Sequence, residues 1–221
     1  MSEKLQRLVT LSDPRSPVSE AYRTLRTNLD FAGLDQRLKT LVITSAGVGE
    51  GKSTTLANLA VVSAQAGRRV VLVDADLRRP TLHDLFGLDN ERGLTTAMMD
   101  EAALAALPLK TTAVEGLEVL TSGPLPPNPA EVMGSRRMAE VIAALAEQAD
   151  QVFFDTPPVV AVTDAAVLAT KVDGVLLVIG AGKTRRDVAR TAVQRLQQIN
   201  ARLVGTVLTN AQMGSGFTDY Y

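Results

Sequence analysis

Six short apolar runs recur along the chain, and segments with helical spacing separate most of them. The runs are rich in β-branched residues and mostly uninterrupted by polar positions, which is the pattern of strands buried on both faces of a parallel sheet. They are LKTLVITS (38–45), RRVVLVDAD (68–76), GLEVLTSG (116–123), DQVFFDTP (150–157), DGVLLVIGAG (173–182) and RLVGTVLTN (202–210). The pattern predicts an α/β fold with a mostly parallel central sheet.

Four segments between these runs carry helical periodicity and good helix formers. They are residues 51–67, 128–148, 163–172 and 184–199. We expect helices on both faces of the sheet, hence three layers, with Asn128 as the cap that ends a proline-rich loop. With 221 residues and 46% hydrophobic content the chain fills one core. We therefore predict one domain over 1–213, including an N-terminal helix over 17–32, followed by a flexible tail over 214–221.

The first strand leads directly into SAGVGEGKSTT, which fits the phosphate-binding loop pattern A/G-x4-G-K-S/T. Such a loop uses glycines so that backbone N–H groups curl around phosphate oxygens, a lysine for the β- and γ-phosphates, and a hydroxyl for Mg²⁺. The predicted nucleotide-binding residues are Gly47, Val48, Gly49, Glu50, Gly51, Lys52, Ser53 and Thr54. The pattern predicts a P-loop NTPase fold that binds ATP and Mg²⁺.

Three aspartates stand at the ends of two other predicted strands. Asp74 and Asp76 end the second run, and Asp155 ends the run VFFD. The carboxyl edge of an open α/β sheet is where ligands bind, and Asp155 has the placement of a carboxylate that holds Mg²⁺ through water. Each aspartate alone is also compatible with a cap or a turn. Together with the P-loop they predict one magnesium–nucleotide site.

Composition excludes several other classes of function. The chain has no cysteine and one histidine, His83, so a zinc site is not expected. A formal net charge of −1 gives no general attraction to nucleic acid. No apolar run approaches the roughly 18 residues of a membrane-spanning helix, and the N-terminus lacks a signal-peptide core. We expect a cytoplasmic protein.

The quoted motifs, taken together, resemble the bacterial tyrosine kinases of the capsule and exopolysaccharide type, in their separate cytoplasmic form. The matching segments are SEAYRTLRTNLDF, SAGVGEGKSTT, VVLVDADLRRPTLHDLFGLDNERGLT, SGPLPPNPAEVMGS, VFFDTPPVVAVTDA and VDGVLLVIGAGKTRRD. The family is similar in fold to partition-type (MinD/ParA-like) ATPases, but those carry a signature lysine where this chain has Gly47. The resemblance implies an ATP-dependent autokinase that phosphorylates tyrosines in its own C-terminal tail.

The resemblance also implies roles for the site residues. Lys52 neutralises the β- and γ-phosphates, as a solvent-facing side chain of the phosphate cradle. The metal residues are Ser53, Asp74 and Asp155, with Asp76 in support and Asp74 as acceptor of the tyrosine proton. Asn210 is the expected adenine reader, although an assignment shifted by one, to Thr209, stays open.

One face of the predicted helix 17–32 has two interpretations. Glu20, Arg23 and Arg26 recur every three residues, which is compatible with an ordinary solvated face bearing an i,i+3 ion pair. In the resembled family the E-x-x-R-x-x-R pattern joins the subunits of a ring. Val18, Tyr22, Leu25 and Leu29 form the adjacent apolar stripe, so Tyr22 is expected to be packed rather than phosphorylated.

The last eight residues, GSGFTDYY, contain two of the three tyrosines of the chain. Tyr220 and Tyr221 are the predicted phosphoacceptors, reached through a Gly–Ser tether. Arg78 and Arg79 are candidates for binding a phosphate or docking the tail. Alternatively, they form an ordinary solvated basic turn. The resemblance further implies a membrane adaptor of the polysaccharide co-polymerase type that recruits the chain to the inner face of the plasma membrane. A scaffold or partition-type ATPase, or a regulator that only binds ATP, remain as alternatives.

Overall fold

The computed structural model describes residues 8–34, 36 and 38–211. The helices are α1 (Val9–Ser12), α2 (Pro17–Ala32), α3 (Lys52–Gln65), α4 (Leu82–Phe86), α5 (Leu94–Met99), α6 (Glu101–Ala105), α7 (Pro129–Gly134), α8 (Arg136–Gln148), α9 (Asp164–Ala169) and α10 (Arg186–Gln198). The strands are β1 (Thr40–Ser45), β2 (Val70–Asp74), β3 (Lys110–Thr111), β4 (Leu117–Leu120), β5 (Gln151–Asp155), β6 (Gly174–Gly180) and β7 (Leu203–Thr209). The predicted tail, 214–221, with both acceptor tyrosines, lies outside the described residues.

The strands form one sheet in the order β3-β4-β2-β5-β1-β6-β7. Every pairing is parallel except that of β3 with β4. The six predicted runs are β1, β2, β4, β5, β6 and β7, so the expected sheet is confirmed. The two-residue edge strand β3 was not predicted, because two paired residues leave no periodicity to detect.

Apolar side chains pack on both faces of the sheet. Along β1, Val42 joins the cluster under α5, α8, α9 and α10, whereas Leu41 and Ile43 join the cluster under α2, α3 and α4. Successive residues of a strand point to opposite faces, so a continuous apolar run fills both clusters. The predicted three-layer α/β fold is confirmed.

The segment predicted as one helix over 128–148 is two helices that meet at Ser135. Ser135 ends α7 and caps α8, since its Oγ accepts a hydrogen bond from Met138 N at 3.2 Å. Asn128 occupies the cap position of α7, but its side chain makes no capping hydrogen bond and contacts Glu131 instead, at 3.4 Å. Asn128 therefore occupies the predicted cap position, but without a side-chain capping hydrogen bond.

Helix α2 has the predicted bounds and packs along α3. Ser16 Oγ accepts from Ser19 N at 3.2 Å and Pro17 is the first helical residue, a favourable start for a helix. Tyr22 packs against the apolar cluster, and burial raises the pKa of its phenol although a hydrogen bond with Thr55 opposes this. Tyr22 is therefore a packed aromatic, as predicted, whereas Val18 is 48% exposed.

Within the described ranges, no helix is both long enough and apolar enough to span a bilayer.

Candidate functional site

The P-loop connects β1 to α3 at the carboxyl edge of the sheet. Gly49 and Gly51 adopt φ angles of +71° and +86°, a left-handed conformation that favours glycine. Helix α3 begins at Lys52, and Gly51 O accepts the hydrogen bond of Thr55 N at 2.8 Å. The first N–H groups of a 14-residue helix therefore open onto the site, and they favour a bound anion.

Lys52 is enclosed by carboxylates. Its Nζ lies 3.0 Å from Asp76 Oδ2 and 3.1 Å from Asp155 Oδ1, and the side chain is 13% exposed. Burial alone would lower the pKa of Lys52, but the charges of Asp155 and Asp76 outweigh it and the pKa is raised. Lys52 is therefore a protonated cation that holds two motifs together, and the expectation of a solvent-facing side chain is wrong.

Asp155 lies at the end of β5, next to the end of β2. It is fully buried, and its Oδ2 accepts from Ser53 Oγ at 2.5 Å. Burial raises the pKa of Asp155, and the charge of Lys52 opposes that rise. The P-loop hydroxyl and the β5 carboxylate are thus adjacent, as the sequence predicted.

Asp74 is directly opposite Asp155 in the β2–β5 pairing. Asp74 Oδ2 accepts from Thr81 N at 3.0 Å and from Leu82 N at 2.9 Å, while its Oδ1 is buried without a hydrogen-bond partner in the described part of the chain. Burial, and then the charge of Asp155, raise the pKa of Asp74 to about 8. Asp74 has no exposed surface.

These side chains have the charge and chemistry to accompany a divalent cation. Asp76 and Asp155 share Lys52, and Asp74, which lies opposite Asp155, has an Oδ1 with no partner in the described part of the chain. Among the described residues no three His, Cys, Asp or Glu side chains are grouped to hold a metal by themselves. A cation here would also need a hydroxyl such as that of Ser53, phosphate oxygens and water, which is how Mg²⁺ binds beside nucleotides. The residues therefore fit Mg²⁺.

A cavity of about 750 Å³ opens above the P-loop. Residues 48–54 form one side of it, and the rest of the lining is Asp76, Arg78, Arg79, Thr81, Asp84, Leu85, Pro157, Pro158, Ala161 and Val162. Asp76 lies at its surface, whereas Asp74 and Asp155 do not line it. The cavity thus has a phosphate-binding floor, an apolar wall and a rim that includes two arginines.

The two arginines of the motif DADLRRP have different environments. Arg78 makes a bidentate pair with Asp164, Nε to Oδ2 at 2.9 Å and Nη2 to Oδ1 at 3.1 Å, and Asp164 is 1% exposed. Arg79 is exposed, and its guanidinium has no partner among the described residues. Both arginines are thus exposed, but the guanidinium of Arg78 is anchored by Asp164, a residue that no sequence motif indicated.

Asn210 follows β7 with a φ of +54° and an exposed side chain. Its neighbour Thr209 contacts the P-loop, because Thr209 Oγ1 donates to Glu50 O at 2.7 Å. Thr209 therefore lies beside the P-loop, and adenine recognition by Asn210 stays a prediction.

The Glu20–Arg23–Arg26 stripe makes contacts within the chain. Arg23 Nη1 lies 2.6 Å from Glu20 Oε2 and Nη2 donates to Pro14 O at 2.7 Å. Arg26 Nη1 donates to Val62 O at 3.1 Å, near the end of α3. The i,i+3 ion pair is present, and the role of the stripe between subunits stays a prediction.

Comparison with known proteins decides between the possible classes of P-loop protein. Residues 41–210 match the family described as CobQ/CobB/MinD/ParA nucleotide binding domain. The tyrosine-protein kinase YwqD of Bacillus subtilis is 44% identical over 211 residues, which cover 95% of this chain and 89% of YwqD. The chain belongs to the bacterial tyrosine-protein kinase family. This membership confirms the predicted resemblance.

Solved structures support the same placement. The kinase domain of the Escherichia coli tyrosine kinase ETK is 33% identical, with a TM-score of 0.89 over 97% of this chain and 88% of that chain. The cell division ATPase MinD of Pyrococcus furiosus is more distant, at 26% identity and a TM-score of 0.64 over 77% of this chain and 71% of that chain. The fold is thus shared with partition-type ATPases, and the sequence is nearer to these tyrosine kinases.

Proposed function

We propose that this bacterial tyrosine kinase is an ATP- and Mg²⁺-dependent autokinase that transfers the γ-phosphoryl group to tyrosines of its C-terminal tail. The observation that carries this is the position of Lys52, held between Asp76 and Asp155 at the floor of an open cavity. In the reaction the bond between the γ-phosphorus and the β–γ bridging oxygen of ATP breaks, and ADP leaves with that oxygen. A bond from the γ-phosphorus to the tyrosine oxygen forms. The phenol proton passes to a carboxylate.

The protein supplies positioning and charge neutralisation. The P-loop N–H groups and Lys52 hold the phosphates, while Ser53, Asp74 and Asp155 would hold Mg²⁺. When bound, Mg²⁺ neutralises charge on the β- and γ-phosphates. We assign the proton acceptor to Asp76, because Asp76 lines the cavity, whereas Asp74, the acceptor expected from the sequence, is fully buried behind it.

The cavity also suggests how an acceptor tyrosine docks. A phenol ring fits the apolar wall of Leu85, Pro157 and Pro158, and the exposed guanidinium of Arg79 suits an acidic residue beside the tyrosine. In this chain Asp219 precedes Tyr220. Arg78 is assigned no docking role, since Asp164 occupies its guanidinium.

Incubation of the purified protein with ATP and Mg²⁺, followed by mass spectrometry, tests the function. Phosphate is expected on Tyr220, Tyr221 or both, with none on Tyr22, which is packed against α3. A protein that hydrolyses ATP but never labels its tail would instead support the partition-type or scaffold ATPase. A protein that binds ATP without turnover would be a regulator.

We propose that the subunits assemble into a ring in which Glu20, Arg23 and Arg26 face a neighbour, so that a tail reaches the adjacent site. Replacing Arg23 by Glu should place two acids side by side, dissociate the ring, and lower tail phosphorylation about 10-fold or more through the lost effective concentration. Nucleotide binding should be unchanged. Light scattering and a phosphotyrosine assay measure both effects.

The control for this charge reversal is Arg136→Glu. Arg136 lies on α8 with 93% of its side chain exposed, and it also pairs with a glutamate on its own helix. The control variant should assemble and phosphorylate as the wild type does. A stable ring in the Arg23→Glu variant would show that the stripe is solvated surface only.

The proposed biological role is control of capsule or exopolysaccharide chain length or export. It rests on membership of the kinase family and on the resemblance of the quoted motifs. A membrane adaptor would then bring the kinase to the inner face of the plasma membrane. Co-purification with the membrane fraction, lost on deletion of the adaptor, is the expected result.

A further inference from the structure

Two backbone carbonyls of the P-loop are held from outside by side chains of later strands and loops. Lys183 Nζ, from the segment between β6 and α10, donates to Gly49 O at 2.8 Å. Thr209 Oγ1, from the last residue of β7, donates to Glu50 O at 2.7 Å. Neither donor belongs to the phosphate-binding sequence pattern.

The side chain of Glu50 is folded back onto the same β6–α10 segment. Thr184 Oγ1 donates to Glu50 Oε1 and accepts from Gly180 N at 3.0 Å. Glu50 is 3% exposed, and its Oε2 has no partner among the residues described. Burying a carboxylate with an unpaired oxygen is unfavourable. The buried position of the Glu50 side chain is therefore not accounted for by a gain in stability.

Gly47 keeps the space that the side chain of Glu50 needs. A Cβ on Gly47 would lie 2.9 Å from Glu50 Oε1, so that this carboxylate would have to shift, whereas one on Gly180 would be in ordinary contact with Glu50 Cγ at 3.6 Å. A Cβ on Gly51 would be in ordinary contact with Thr209 Cγ2, at 3.5 Å. The P-loop, the β6–α10 segment and the end of β7 are thus fitted to one another.

The direction of these carbonyls fixes the direction of the N–H groups that bind phosphate. In a planar trans peptide the C=O and the following N–H point in opposite directions. Holding Gly49 O and Glu50 O away from the cradle therefore turns the N–H groups of Glu50 and Gly51 toward it. Donors that are already oriented need no rearrangement when charge develops on a transferring phosphoryl group.

We propose that Thr209 and Lys183 are positioning residues for phosphoryl transfer, which aim the N–H groups of Glu50 and Gly51 at the nucleotide phosphates, with Thr184 fixing Glu50. This inference deepens the proposed kinase function and rests on it. None of the three side chains needs to touch the substrate. Their effect should appear with any ligand that carries the polyphosphate.

The main test compares Thr209→Val with Thr209→Ser. Valine keeps the shape and suits a strand but removes the hydroxyl donor, whereas serine keeps it. We expect Thr209→Val to bind inorganic tripolyphosphate and ATP about 3- to 10-fold more weakly by calorimetry. Its kcat for tail phosphorylation should fall by about 10-fold or more at saturating ATP. Thr209→Ser should recover most of both, and thermal melting checks that each variant is folded.

Base recognition is separated by comparing ATP with GTP. A positioning role for Thr209 leaves the ATP:GTP preference unchanged, since both nucleotides carry the same polyphosphate. A changed preference with unchanged tripolyphosphate binding would assign Thr209 to the base and overturn the proposal. Wild-type binding and kcat in Thr209→Val, or no recovery in Thr209→Ser, would also overturn it.

Lys183→Met provides an independent arm on an exposed side chain, where folding is not at risk. Its matched control is Arg186→Met, which removes an equally exposed positive charge a few residues away. Lys183→Met should weaken tripolyphosphate binding more than Arg186→Met does, and equal effects would contradict the proposal. If the wild-type protein labels no tyrosine, the kinase function fails, but the tripolyphosphate measurement still decides the role of these residues.

Discussion

Replacing Lys52 by Met is expected to lower tail phosphorylation at least about 100-fold, as the loss of one transition-state donor does in other enzymes. It should also destabilise the nucleotide-free protein by about 3 kcal/mol, because removing one partner leaves buried carboxylates without their cation. The loss of stability is expected because Lys52 Nζ lies within 3.1 Å of both Asp76 and Asp155. A solvent-facing lysine would leave stability unchanged.

The control is the double variant Lys52→Met with Asp76→Asn, which removes one of the two negative charges that the lysine neutralised. It should regain part of the lost stability in a urea titration and none of the lost phosphorylation. Wild-type-like labelling in a folded Lys52→Met protein would rule out the site as described. Unchanged stability would show that the two ion pairs do not hold the P-loop in solution.

Much of the fold could be predicted because strands buried on both faces leave a strong signal. Val70 to Val73 have no polar residue among them, and the following Asp74 marks the end of the strand at the ligand-binding edge. Helix α2 was equally clear from its apolar stripe. The short helices α4, α5 and α6 have five or six residues each, too few to show a helical period.

The P-loop and the three aspartates could be found because local motifs encode them. Burial of the charged side chains of the site could not be predicted, since it depends on which loops cover them. Asp74 and Asp155 lie side by side because β2 and β5 are neighbours in the sheet. The order of the strands along the sequence does not reveal that pairing. The same limit applies to Asp164 and Thr184, whose partners are 86 and 134 residues away in the sequence.

Replacing Asp74 by Asn is expected to stabilise the nucleotide-free protein, and by an amount that depends on pH. The folded protein holds a proton on Asp74 up to about pH 8, whereas the unfolded chain releases it near the ordinary pKa of 3.8. Between these values the native state binds more protons than the unfolded state, so this residue's contribution to stability falls as pH rises. Above about pH 8 the contribution of Asp74 to stability no longer changes with pH.

The difference in stability between Asp74→Asn and the wild type should therefore grow from pH 5 to pH 8 and then level off. Asparagine keeps an oxygen for the N–H groups of Thr81 and Leu82 and removes the buried charge, so a gain of about 1–4 kcal/mol at pH 8 is expected. Urea titrations in a chelator, without nucleotide, measure it. Tail phosphorylation should fall, because the same charge is proposed to hold Mg²⁺.

Asp150→Asn is the control of opposite sign. Hydrogen bonds from Arg69 lower the pKa of Asp150 to about 2, so its stabilising contribution is present above pH 3.8 and is lost only as pH falls toward 2. Asp150→Asn should therefore lower stability by a constant amount from pH 5 to pH 9. A difference between Asp74→Asn and the wild type that is equally flat over this range would show that Asp74 is already ionised in the folded protein at pH 5. Asp74 would then be a permanent charge of the metal site and not a group that titrates near neutral pH.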